Sequence, residues 1–345
     1  MVSTIRRELY YGRVVNEEAL RARFSLIEID GEGILLNRET GAVYRLNSTG
    51  YEVWASLAAG RSVAEIIAEM MRRFGLDRER ALRDVMAVLE TFPDVAPKPP
   101  EDAFRWIATP PEGYGYFEDD VLVCKVDARG ETVRLRAGSA PTVLEAQIQL
   151  KSVVPKILSL RGIRALHAAA VEVDGALLLF CGRSGAGKTT SARMFGQNGR
   201  RVVSEDLLIL SRPGDGSRAI IGGEPTIRAW VAQEGARLAQ QPDQPIECGG
   251  LDGCLAGEGR PIKRILLIDA ERRAGEEIVV ENLSRADALV ALMESTYFGS
   301  ADVTSWIATL QFLRTLVKEA STARAVMPRG INELRKAVGI LPTAI

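Results

Sequence analysis

Leu166 to Leu210 reads LHAAAVEVDGALLLFCGRSGAGKTTSARMFGQNGRRVVSEDLLIL. Its centre, Gly182-Arg-Ser-Gly-Ala-Gly-Lys188-Thr189, matches in full the G-x-x-x-x-G-K-[ST] pattern of a phosphate-binding loop. The residue types follow from the chemistry. Gly182, Gly185 and Gly187 let the backbone turn tightly and aim successive N–H groups at phosphate oxygens. A helix opening at the loop adds its positive dipole end. Lys188 reaches the β- and γ-phosphates, and the Thr189 hydroxyl is suited to ligate Mg²⁺. The setting supports the motif. Ala176-Leu-Leu-Leu-Phe-Cys181 is a continuous apolar run, read as a buried strand, and Thr190 to Asn198 reads as a helix stopped by Gly199. The candidate nucleotide contacts are Gly182, Ser184, Gly185, Ala186, Gly187, Lys188, Thr189 and Thr190, with ATP and Mg²⁺ as the implied cofactors.

Two features flank the loop. Arg201-Val-Val-Ser-Glu205-Asp206 sets two acids at the end of a short apolar strand, and Leu207 to Leu210 reads as a second strand. A carboxylate at a strand end beside a phosphate loop is placed to partner Mg²⁺ or an attacking hydroxyl. Upstream, His167 begins an expected strand, His167 to Val173, and is the one histidine of the chain. A lone histidine in an apolar strand is more often structural. An antiparallel partner strand would bring this one to the loop, so it stands as a candidate. Downstream, Arg228 is the basic residue best placed by sequence to meet a transferring phosphate, against the alternative of an exposed salt bridge.

Residues 163–210 resemble the HPr kinase/phosphorylase family and its HprK-related relatives, with PEP carboxykinases sharing a distant version. The resemblance rests on the His-led strand, the loop and the acidic pair, usually Asp-Asp. It implies an α/β P-loop kinase domain in which Lys188, Thr189 and Asp206 handle phosphate and metal, Thr189 and Asp206 being the metal ligands. It implies that Glu205 is the base on the acceptor hydroxyl. Here the chain departs, because Glu at 205 reaches one methylene further than Asp. The family's second signature is not found after the acidic pair.

Composition bounds the rest. A chain of 345 residues usually holds two domains, or three small ones. A formal net charge of −1 supplies no global basic field for nucleic acid. Cys124, Cys181, Cys248 and Cys254 show no C-x-x-C spacing, and a single histidine leaves little for a zinc site. Cys248 and Cys254 would pair only in an oxidising compartment, so reduced thiols are expected. The first residues lack a signal-peptide core and no run approaches a membrane span, which predicts a cytoplasmic enzyme with no membrane partner.

Nearer the start, Phe24–Ile29, Ile34–Asn37 and Ala42–Leu46 read as a three-strand meander, with a turn at Gly31-Glu-Gly33. Asn47 and Ser48 cap an expected helix from Thr49 to Ala58. Ser62-Val-Ala-Glu65 is a capping box for a second helix with Val63, Ile66, Ile67 and Met70 on one face, and a third runs from Arg78 to Glu90. The stretch GILLNRETGAVYRLNSTGYEVWASLAAGRSVAEIIAEM resembles the PqqD-like family, the RiPP recognition elements that bind leader peptides of ribosomal peptide substrates. The residues that carry this are Leu35, Leu36, Gly41, Tyr44, Leu46, Asn47, Trp54 and the Ser62-led helix. The resemblance implies a small winged-helix-like β3α3 domain over residues 22–95, to whose sheet edge a peptide adds as a strand. A DNA-binding winged helix is the rival, but the second and third helices lack a basic recognition face.

Residues 96–103 continue a proline-rich linker, and residues 104–345 form the expected kinase domain. Within it, Val121–Val126 and Thr132–Arg136 read as strands about a turn at Arg129-Gly130. Thr142 to Leu160 reads as a helix whose apolar residues include Leu144, Ile148, Val153 and Leu158. Residues 233–261, rich in Gly, Gln, Pro and Asp, read as a flexible or substrate-covering loop. Lys263 to Ile268 reads as a buried strand, 284–298 and 304–319 as helices, Ala323 to Met327 as a strand and Ile331 to Val338 as a helix. Together these readings predict a kinase that moves the ATP γ-phosphate to a hydroxyl, serine foremost, on a ribosomally made precursor peptide held by its front module. An NTP-binding regulator without phosphotransfer and an HPr-type protein serine kinase are the alternatives. A homo-oligomer is left open.

Overall fold

The alternation of Phe24–Ile29 and the apolar run Ile34–Leu36 predict a sheet, and the computed structural model shows it, with Ile34, Leu35 and Leu36 all fully buried. The structure describes residues 22–39, 41–61, 63–91, 104–109, 113–118, 121–135, 141–210, 217–269, 279–296 and 303–326. The chain divides into two compact units, residues 1–100 and 101–345. The proline-rich linker, the Ser62 cap and the helix expected at Ile331–Val338 lie outside the described residues.

In the first unit, β1 (Phe24–Ile29), β2 (Glu32–Asn37) and β3 (Val43–Leu46) form an antiparallel meander in that order. Its first turn is Asp30-Gly31, not Gly31–Gly33: Ile29 pairs with Glu32, and Asp30 and Gly31 have φ of 52° and 80°. Two consecutive left-handed residues match the twist of the flanking strands, and Asp-Gly is the pair that takes them most readily. Helix α1 (Ser48–Ala58) is capped by Asn47, whose side-chain oxygen accepts from the Gly50 amide at 2.8 Å. Helices α2 (Val63–Phe74) and α3 (Arg78–Thr91) follow. Val63, Ile66, Ile67 and Met70 are buried as their spacing predicts, and they join Leu35, Trp54, Leu57, Ala81 and Val85 in one core. Phe24 meets Trp54 edge-on with centroids 5.0 Å apart.

The second unit opens with β4 (Phe104–Thr109), β5 (Gly113–Glu118), β6 (Val121–Val126) and β7 (Thr132–Leu135), then α4 (Val143–Leu160). Next come β8 (Ala165–His167), β9 (Ala169–Val173), β10 (Ala176–Cys181), α5 (Lys188–Gln197), β11 (Arg201–Ser204) and β12 (Leu207–Ile209). The chain continues through β13 (Arg218–Ile220), α6 (Gly223–Gln240), β14 (Ile246–Glu247) and a 3₁₀ helix, Cys248–Leu255. It ends in β15 (Gly259–Asp269), β16 (Val279–Asn282), α7 (Arg285–Glu294), α8 (Val303–Glu319) and β17 (Ser321–Val326).

The main sheet is mixed, in the order β11-β9-β10-β15-β17-β16, with β13 also on β15. β10, β15 and β17 run parallel, and β9 is antiparallel to β10. Central parallel strands are covered on both faces, which explains why Leu177–Cys181 and Ile265–Ile268 are buried without alternation. β4 to β7 form a separate antiparallel sheet with β14. Between them α4, α6 and the 3₁₀ helix bury a further core around Leu150, Val153, Ile157, Trp230 and Leu251.

Three expectations change. His167 closes a short strand rather than opening a long one: the chain breaks at Ala168 between β8 and β9. Residues 233–261 are not a loop; they hold the end of α6, a strand that extends the antiparallel sheet and a 3₁₀ helix with Cys248, Leu251 and Cys254 fully buried. Leu144 and Ile148, expected among the apolar residues of the helix, are 66% and 58% exposed. The four cysteines are free and buried, and burial pushes Cys248 up to about 12 and Cys254 to about 11. Among the described residues no helix is long and apolar enough to cross a membrane.

Candidate functional site: a phosphate loop and an acid–arginine network

The loop joins the end of a buried strand to the start of a helix. Gly182, Gly185 and Gly187 have φ of 138°, 78° and 108°, a region closed to most side chains. Gly182 is required twice over, since a Cβ there would stand 2.5 Å from the carbonyl oxygen of Ile268 on the adjoining strand. Gly187 is the N-cap of α5, which starts at Lys188, two residues earlier than the sequence suggests. Ala186 packs into the core under the loop, and Ser184, Gly185 and Thr190 are exposed.

Lys188 is 5% exposed, and its ammonium donates to the carbonyls of Gly182 at 2.8 Å and Arg183 at 3.1 Å. Burial lowers its pKa from the ordinary lysine value, while Cys181 and Asp206 pull the other way. The Thr189 hydroxyl donates to the carbonyl oxygen of Glu205 at 3.0 Å, tying the helix start to the acidic pair.

The two acids have different surroundings. Glu205 accepts from Arg193 Nε at 3.1 Å and Nη2 at 2.8 Å, and Arg228 stands 3.5 Å away. Arg193 first, helped by Arg228, holds the carboxyl below its usual range against the opposing effect of burial. Asp206 meets His167 Nε2 at 3.1 Å and Lys151 Nζ at 3.1 Å. The hydrogen bond from His167 is the largest cause of its lowered pKa, with Lys151 adding to it. β8 pairs antiparallel with β12, and His167 lies opposite Leu207, so a partner strand does bring the histidine to the acids.

Arg228 forms the salt bridge that was the alternative reading of it: its side chain is 58% exposed and is held by Glu224, one turn earlier on α6, at 3.0 Å from its Nε. Glu224 is 6% exposed and accepts the backbone N–H of Glu205 at 2.7 Å. It thus fixes the acidic pair and the arginine at once. The structure gathers Lys188, Thr189, Glu205, Asp206, His167 and Arg228 into one network. Sequence reasoning missed Glu224 and Lys151; the available signal was Glu224 four residues before Arg228 in a first helical turn.

Among the described residues no group of three or more His, Cys, Asp or Glu is placed to hold a metal ion. Mg²⁺ carried on nucleotide phosphates needs few protein ligands; the oxygen donors on offer here are the Thr189 hydroxyl, which now donates to the Glu205 carbonyl, and the Asp206 carboxylate, which meets His167 and Lys151. A cavity of about 510 Å³ opens beside Asp206, Glu224 and Arg228. Another, of about 350 Å³, lies against Gly182 and Arg183 with Asp269 and Arg324.

The three strands and three helices of the first unit form a small β3α3 module. Residues 32–94 match the family model of coenzyme PQQ synthesis protein D (PqqD), so this stretch is similar to PqqD. The match covers the module and not the second unit. Among solved structures, the chain is similar to TbiB1 in complex with the TbiA(beta) leader peptide: 28% identity, 20% of this chain, 80% of that chain and a TM-score of 0.19. No curated protein matches the chain.

Proposed function

We propose that the protein is an ATP-dependent kinase that phosphorylates a hydroxyl, serine foremost, of a ribosomally made precursor peptide whose leader its PqqD-type module holds. The observation that supports the transfer step is the network itself: a glycine loop with a drawn-in lysine, tied through the Thr189 hydroxyl to the backbone of an acidic pair. In this reading the acceptor oxygen attacks the γ-phosphorus, the bond to the ADP oxygen breaks, and the hydroxyl proton passes to Glu205. Two guanidiniums make Glu205 a weak base but keep it ionised, which suits a loose transition state that sheds the proton late. Lys188 and the loop amides would stabilise charge on the transferring group, and Arg228 would meet the same oxygens only by reaching from α6 across the acidic pair. Mg²⁺, when bound, adds charge neutralisation across the phosphates. Thr189 and Asp206 would hold it, and His167 and Lys151 orient Asp206.

The test is incubation of the full chain with ATP, Mg²⁺ and short peptides encoded beside it, followed by mass spectrometry for added phosphate. Lys188→Ala should abolish the mass shift while circular dichroism stays unchanged. Full transfer by a folded Lys188→Ala protein would falsify the kinase reading. ATP binding with no phosphate on any such peptide would favour a nucleotide-dependent regulator.

A further inference from the structure

The cavity of about 510 Å³ beside Asp206 is far larger than an acceptor hydroxyl needs; a water molecule takes up only ~30 Å³ of the liquid. Asp206, Glu224 and Arg228 line it together with Lys151 and Lys156, and its apolar lining is Val154, Leu207, Ile227, Val231 and Ala232. None of residues 182–189 lines it, whereas Gly182 and Arg183 line the smaller cavity. Gly182 and Arg183 of the loop therefore face one space, and Asp206 and Arg228 face the other. A second observation extends the larger space. Leu144 and Ile148 are exposed on α4, and the same i, i+4 row continues to Ser152, which lines the cavity.

We propose that this cavity is the subsite for the acceptor segment, and that it takes a large apolar side chain next to the phosphorylated hydroxyl. The Leu144–Ile148 row carries the peptide onward along α4. This rests on the phosphotransfer reading and names the substrate class of that site: a serine-containing segment with a bulky apolar neighbour. Volume sets the size of the neighbour, the apolar walls set its chemistry, and contact with Asp206 and Arg228 sets its distance from the reacting oxygen.

Labelled peptides carrying one serine flanked by Leu, Phe, Gly or Asp can be titrated against the full chain with Mg²⁺ and a non-hydrolysable ATP analogue. Leu and Phe peptides should bind at least about tenfold tighter than Gly or Asp peptides, the discrimination a hydrophobic pocket supplies. Ala232→Trp fills the cavity from an exposed helix position, so the fold should tolerate it. It should erase the ranking and leave ATP affinity unchanged. Because the readout is binding, an apolar ranking in a chain that adds no phosphate when incubated with ATP supports the subsite while removing the kinase reading. Equal affinity for Leu and Gly peptides overturns the proposal. So does an Ala232→Trp protein that loses nucleotide binding with its peptide ranking intact, which would assign the cavity to the nucleotide base.

Discussion

Asp206 and Glu205 are neighbours in sequence with opposite companions, and that contrast separates their expected behaviour. Glu205→Gln keeps the shape and removes the proton acceptor, so transfer should fall by about 10² or more while ATP binding holds. Asp206→Asn should instead weaken Mg²⁺-dependent ATP binding by about tenfold or more, read by titration with and without Mg²⁺. Exchanged phenotypes would reverse the assignment. Asp206 also makes a pH prediction. Its folded pKa lies below the unfolded value, so its stabilising contribution is complete above about pH 4 and is lost as pH falls through the folded value. Acid unfolding followed by circular dichroism should start at higher pH in Asp206→Asn, and an unchanged acid limb would show that the carboxylate does not stabilise the fold.

At the scale of elements, the strand, glycine loop and helix were legible because they lie within some twenty consecutive residues and each obeys a local rule. Gly182→Ala tests that locality: a side chain at φ 138° aimed at the Ile268 carbonyl forces the loop off its strand. The expected cost is about 1–3 kcal/mol of stability, with loss of nucleotide binding, measured by thermal melting and ATP titration. The segment 233–261 misled because its Gly, Gln and Pro content resembles a loop. Its order comes from Cys248, Leu251 and Cys254, spaced by three, which eclipse on one face of a 3₁₀ helix and seal the core against α4 and α6. A search for period 3.6 or 2 passes over that spacing. Glu224 and Lys151 were illegible for a different reason. They reach the acidic pair from α6 and α4, across strand pairings that no local pattern specifies.

At the scale of the molecule, each unit has a core of its own, which makes recognition and chemistry separable by experiment. Residues 22–95 produced alone should bind the leader half of the precursor peptide, and the full chain should bind it only modestly tighter, because in the proposed function backbone pairing at the module's sheet edge would supply the grip. A chain lacking residues 1–97 should still bind ATP, since the phosphate loop rests on its own sheet. Its phosphorylation of the peptide should drop at low substrate and partly recover at high substrate. The reason is arithmetic: a held leader presents the acceptor at an effective concentration on the order of millimolar, and free peptide below that level encounters the site less often. The signature is therefore a raised KM with kcat nearly intact. A truncated chain as efficient as the whole at micromolar peptide would show that the PqqD-type module serves something other than substrate capture.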